Sequence, residues 1–337
     1  MTLLKSDIEK ITKTYTDNVK AYELYLKGKF YFNRRGSSLI KAKEYFLRSI
    51  EADPDFALAY SGYADATILS SFYSYAPGVE VMGEIKRAAE TAIRLDSSIP
   101  EPYCSLGSYY CAFEWNWNLA EENFKKCLQI APGFAAGHYL YSIHYLAWTK
   151  GDFDKALQHP SEAIKIEPTS AIYTAGLSWI YVTAKRFKEA IEAARFAIEL
   201  DNNNFLAHYN MGNAYIGCKE FDAAIATFKT ALNISERNQT AIDGLIRAYC
   251  GKGEFDKALP LYEEMKAKEK HGYAGKVTLA LSSVHMGYTE VAIDYFKKAL
   301  EERDPLLLTL KHVPYLPEHF MTHPEFQQVL KTINFPD

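Results

Sequence analysis

The sequence predicts an all-α, right-handed superhelical solenoid of about eight helix–turn–helix repeats, closed by a C-terminal capping helix. Three observations carry the prediction. Ala156, Ala190, Ala224, Ala258 and Ala292 recur 34 residues apart, and so do Phe153, Phe187, Phe221 and Phe255; a fixed period of that length marks a helical-hairpin array. Small residues fall where paired helices must approach closely, as Gly212 and Ala224 do in 205–238, with Tyr215, Phe221 and Phe228 filling the space beside them. No strand-like alternation competes with the helical pattern. One such hairpin cannot cover its own apolar face, so it stacks on the next.

Taken in order, residues 1–20 read as an N-terminal helix and linker, the helix opened by the capping-box spacing of Ser6-Asp7-Ile8-Glu9. The repeat array spans 21–303. Its first repeat, 21–56, puts Gly28 and Ala42 at the small positions and Phe46 at the large one, with Pro54 ending the second helix. The second, 57–99, departs most: extra residues lengthen its helices and loop, and Pro77-Gly78 breaks them. Phe72, Tyr73 and Tyr75 in that loop are expected to pack on the neighbouring hairpin, with partner contact as the alternative. The third, 100–134, holds Gly107, Ala120 and Phe124 around a turn containing Trp115 and Trp117, read as a wedge locking two helices. The fourth, 135–170, carries Pro160 inside its second helix, where a kink or late start is expected. Repeats 171–204, 205–238 and 239–272 are the most regular, although Pro260 predicts a bend in the last. The eighth is 273–303. From 304 to 337 the pattern changes, and His323-Pro324-Glu325 opens a final amphipathic helix, which is taken as the C-terminal cap.

Composition excludes several functions. A net charge of −4 lacks the basic footprint of a general nucleic-acid binder. No stretch resembles a signal peptide or a membrane span, and the five cysteines include no C-x-x-C pair, so a cytoplasmic, reducing location is expected. No phosphate-binding glycine motif is present. The pairs His138/His144 and His319/His323 lack further ligands for zinc, so no metal, cofactor or catalytic site is expected. What remains is a surface. The first helices of stacked hairpins line a concave groove, and register points Tyr139, Ile143, Trp179, Tyr209, Asn213, Asp243 and Arg247 into it. Aromatic rings beside an amide and a charge suit an extended or helical peptide, with the aromatic and arginine positions as anchors.

The repeats over about 21–303 resemble the tetratricopeptide (TPR) family. Three pieces, AYELYLKGKFYFNRR, CAFEWNWNLAEENFKKCLQIAPGF and the ending RDPLLLTLKHVPYLPEHFMTHPEFQQVLKTINFP, are similar to the TPR halves of bacterial signalling proteins in which a class III adenylate/guanylate cyclase, a protein kinase or a winged-helix regulator precedes the array. The ending holds His323-Pro324-Glu325-Phe326 where that family has Asp-Pro-Arg-Phe. The resemblance implies a sensory or protein-binding scaffold, with catalysis in an upstream domain and none in these residues. The dicarboxylate clamp of chaperone-binding TPR proteins is not reproduced: Asn213 fits, but Tyr209 stands where its first lysine belongs and Gly244 where its second asparagine belongs. A homo-oligomerisation module and a small-molecule sensor using the Trp115/Trp117 region are the alternative readings.

Overall fold

The computed structural model describes residues 15–271 and 273–336, so the expected Ser6–Glu9 helix start lies outside the described residues. Eight helical hairpins follow one another. They are α1 (Val19–Arg34) with α2 (Ser38–Ala52), α3 (Ala57–Phe72) with α4 (Gly78–Leu95), and α5 (Glu101–Tyr109) with α6 (Trp117–Ile130). Next come α7 (Ala135–Leu140) with α8 (Phe153–Ile166), α9 (Ala171–Thr183) with α10 (Phe187–Leu200), and α11 (Phe205–Gly217) with α12 (Phe221–Ile234). The array ends in α13 (Gln239–Lys252) with α14 (Phe255–His271) and α15 (Lys276–His285) with α16 (Thr289–Glu302). Short polar side chains start several of these helices: Asn18, Asn116, Asp152, Asn204 and Asn238 each accept a first-turn backbone N–H.

The periodic residues interlock the hairpins. All five alanines of the 34-residue series are fully buried. Phe228 lies between two glycines: a Cβ on Gly212 would come within 2.7 Å of its ring, and one on Gly244 of the next hairpin within 2.3 Å. Gly28, Phe46 and Gly62 repeat the arrangement in the first two hairpins. Phe187 and Phe221 press in the same way on Gly217 and Gly251, whereas Phe255 stays half exposed. A large ring inserted into two glycine notches fixes the spacing of successive hairpins, because backbone can approach only where no Cβ intervenes.

The third and fourth hairpins absorb their extra length inside the first helix. Asn204 to Phe221 is 17 residues, but the matching spans from Ile99 to Trp117 and from Phe134 to Phe153 are 18 and 19. The surplus appears as π-helical turns, Tyr110–Glu114 after α5 and Tyr141–Lys150 after α7. Both internal prolines are tolerated within continuous helices. The Ala156 carbonyl, which Pro160 cannot satisfy, accepts the Ser142 hydroxyl at 2.6 Å.

The array curves until its first two hairpins touch its later ones. Ser37, in the first hairpin turn, donates to Glu236 at 3.0 Å, and Asn238 donates to the Tyr73 carbonyl at 3.4 Å. The aromatic residues after α3 join the cluster of the neighbouring hairpin and also reach beyond it. Phe72 stacks on His144 at 5.1 Å, and Tyr73 packs against Phe205 at 6.1 Å, both across the inside of the curve.

Residues after α16 complete the closure. A 3-10 segment, Pro305–His312, enters the interior and buries Leu307, Leu308 and Leu310 completely. The short α17 (Glu318–Met321) and the final α18 (Pro324–Ile333) then cover the last hairpin, where Phe296 meets Phe326 at 5.1 Å and Phe320 at 6.0 Å. The two tryptophans of the third turn hold this tail rather than a neighbouring helix pair. Trp117 stacks on Phe335 and donates Nε1–H to the Asn334 carbonyl at 2.6 Å, while the Arg303 guanidinium lies 4.0 Å from the Trp115 ring.

Candidate functional site

Inside the curve lies a cavity of ≈ 1200 Å³. The first helices of the hairpins form its wall, as their inner position requires, and the α1–α2 turn, the loop after α3 and the C-terminal segment cover it. Tyr139, Ile143, Trp179, Tyr209 and Asp243 all line this space. Asn213 and Arg247, read from the sequence as groove residues with them, are 2% and 1% exposed and stand in the wall itself.

The aromatic groups form a nearly continuous surface. Tyr139 meets Tyr173 at 5.3 Å, Trp179 meets Tyr209 at 5.9 Å, and Phe205 stacks on Tyr209 at 5.8 Å. Tyr139 can lie flat over α9 because Gly176 is there; a Cβ would fall 2.2 Å from its ring. Phe72, His144 and Trp148 make a second cluster. His144 donates to or accepts from the Ser108 hydroxyl at 3.0 Å, and burial pushes its pKa down to about 3, so it stays neutral at ordinary pH. Asp65, held by the Ser105 hydroxyl at 2.5 Å, is pushed up to about 6 by burial.

Behind Tyr209 sits a buried polar network. Arg247 donates Nε–H to Asp243 Oδ2 at 2.7 Å and Nη1–H to Asn213 Oδ1 at 2.8 Å, and Ser282 donates to the other Asp243 oxygen at 2.7 Å. Burial disfavours the guanidinium charge, but Asp243, Tyr315 and Tyr209 beside it raise its pKa overall. The Tyr315 ring, delivered by the tail, lies 3.9 Å from the guanidinium carbon, and its carbonyl is hydrogen-bonded to His285 Nε2 at 3.0 Å. The chain's own C-terminal segment thus occupies one side of the inner face, with an aromatic ring seated on an arginine.

Sequence register places the α7, α9, α11 and α13 wall residues but not those that reach it from afar. Arg35, Tyr73, Trp148 and Tyr315 also matter to the site. The lengthened first turn and the aromatic loop after α3 are visible in the sequence; that both fold inward is not. No group of three or more His, Cys, Asp or Glu suited to a metal ion occurs among the described residues, and no described helix is long and apolar enough to cross a membrane.

Stacked helical hairpins around an inner groove define a helical-repeat architecture. Two tetratricopeptide-repeat family models match part of it, one over residues 144–205 and one over 181–249. Among solved structures, a chain of the APC/C hetero-tetramer Cut9-Hcn1 shares the fold with a TM-score of 0.63 at 15% identity. The alignment covers 95% of this chain and 57% of that one, so the chain spans little more than half of that relative's length. The pilF protein of Pseudomonas aeruginosa (17% identity, 60% of this chain and 90% of that, TM-score 0.44) is more distant. So is YrrB, described as a TPR protein with an unusual peptide-binding site (20%, 58% and 95%, TM-score 0.36). No curated protein matches the chain.

Proposed function

We propose that this chain is a protein-interaction scaffold that holds a partner segment along its inner groove, and that it is the regulatory or sensory array of a larger bacterial signalling protein, working in the cytoplasm. Tetratricopeptide-repeat proteins generally mediate protein–protein interaction. One observation supports the groove as the docking face here: residues 305–315 of the chain already lie against it, with Tyr315 stacked on Arg247 as a bound peptide's aromatic residue would be. Tyr139 and Trp179 supply two further rings on the same wall. The test is selection of a random-peptide display library on the intact chain. Selected peptides should lose at least tenfold in affinity for Tyr139→Ala and Trp179→Ala, and unchanged affinity for both variants would remove the groove as the docking face.

A second reading has its own observation. Helix α1 leaves Val19, Tyr22, Leu26 and Phe30 exposed at helical spacing. A linked upstream domain or a second copy of the chain would cover that stripe. Light scattering on the isolated chain separates them: a concentration-dependent dimer abolished by Leu26→Glu assigns the stripe to self-association, and a monomer leaves it to another domain.

A further inference from the structure

The cavity holds buried polar atoms that make no hydrogen bond within the fold. Arg35 closes α1 with φ 59°, places its guanidinium carbon 4.4 Å from the Phe32 ring, and has no ion-pair partner among the described residues. Its Nη1 is buried without a hydrogen-bond partner, and the same holds for Tyr73 Oη, Trp148 Nε1, Trp179 Nε1 and Thr278 Oγ1. All five residues line the one cavity. Every one of these groups can donate, so together they suit acceptor oxygens. Apolar side chains also line the space, among them Ile68, Leu69, Leu140, Leu281 and Leu306. A volume of ≈ 1200 Å³ exceeds what a drug-sized molecule needs.

We propose that this lumen binds an elongated amphiphile with a single negative charge, of the N-acyl amino acid class. Its carboxylate would sit on Arg35 and the Tyr73 hydroxyl, its amide carbonyl would accept from the tryptophan N–H groups, and its acyl chain would run along the apolar wall. Charge sets the limit at one. Lys29, Arg34 and Arg35 line the cavity with Asp65, Glu101 and Glu236, so the basic groups are largely offset there and a dianion such as a phosphate monoester meets more repulsion than a carboxylate does. The inference goes beyond the scaffold reading and does not need a protein partner.

The experiment titrates the intact chain with N-dodecanoylglycine below its micellar concentration, by calorimetry and by intrinsic tryptophan fluorescence. Its methyl ester and dodecyltrimethylammonium are the comparison probes. Saturable 1:1 binding is expected, with quenching, at least tenfold weakening for the ester, and the same loss for Arg35→Gln. Arg35→Lys should recover part of the affinity. Acid and ester binding alike, an unaffected Arg35→Gln variant, or tighter binding of the ammonium probe would each overturn the proposal. Failure here leaves the peptide selection untouched, because that result is read on Tyr139 and Trp179 with peptides.

Discussion

Replacing Asp243 by Ala should be among the most damaging single changes in the chain. Arg247 is 1% exposed, and Asp243 is its only ionic partner among the described residues, at 2.7 Å. Without it the guanidinium keeps Asn213 Oδ1 at 2.8 Å and the Tyr209 hydroxyl at 3.5 Å, both uncharged, and Ser282 loses its carboxylate acceptor. Breaking a buried pair from one side costs about 3–5 kcal/mol, because an uncompensated charge remains in low dielectric. An unfolding entropy of about 2.1 cal/mol/K per residue, over 337 residues, amounts to ~0.7 kcal/mol/K. The melting temperature should therefore fall by ~4–7 °C if the array melts as one unit, and by more if only the C-terminal hairpins separate. Removing both charges, Asp243→Leu with Arg247→Met, should be close to neutral, since the apolar pair avoids desolvation altogether. Thermal and urea unfolding followed by circular dichroism, arranged as a double-mutant cycle, measures the coupling. A loss below about 1 kcal/mol for Asp243→Ala, or a double variant as weak as the single one, would refute the reasoning.

Gly244→Ala should cost about 1–3 kcal/mol, because its Cβ would fall 2.3 Å from the fully buried Phe228 ring. Gly83→Ala, in the exposed middle of α4 with only the Arg87 tip nearby, should instead stabilise by about 0.5–1 kcal/mol; urea midpoints distinguish the two. Acid should weaken the fold through His144. Its folded pKa of about 3 lies below the ordinary 6.5, so stability is full above 6.5 and is lost as pH falls from there towards 3. His312, depressed to about 4 by burial, acts in the same direction. Asp65 acts the opposite way: raised to about 6 from 3.8, it adds stability as pH falls from 6 towards 3.8. Urea midpoints between pH 4 and 7 should show a shallower acid loss for His144→Gln and a steeper one for Asp65→Asn, and unchanged slopes would show that neither group governs the profile. Trp117→Ala should release the C-terminal end, read as faster amide exchange over residues 326–335, while the second aromatic clamp, Arg303 on Trp115, remains.

Much of the fold is written in local spacing. The 34-residue series gives hairpin number, helix order and the notched packing of Phe228 between glycines, because each hairpin contacts mainly its neighbours and short-range pattern suffices. The same register puts Tyr139, Trp179 and Tyr209 on one wall. It does not separate Tyr139, which lines open space, from Arg247, which is sealed into an ion pair. That difference depends on Tyr315, delivered by a tail 68 residues further along the chain.

Periodic side-chain size, legible along the chain, specifies a repeating helical array with an inner face, because it fixes how adjacent helices approach. Three features emerge only from the folded whole: the array bends round on itself, Phe72 and Tyr73 at the end of α3 face inward, and the groove contains its own C-terminal segment. Those features join residues as far apart as Ser37 and Glu236 or Trp117 and Phe335. They follow from small rotations accumulated over many hairpins, which no single repeat encodes.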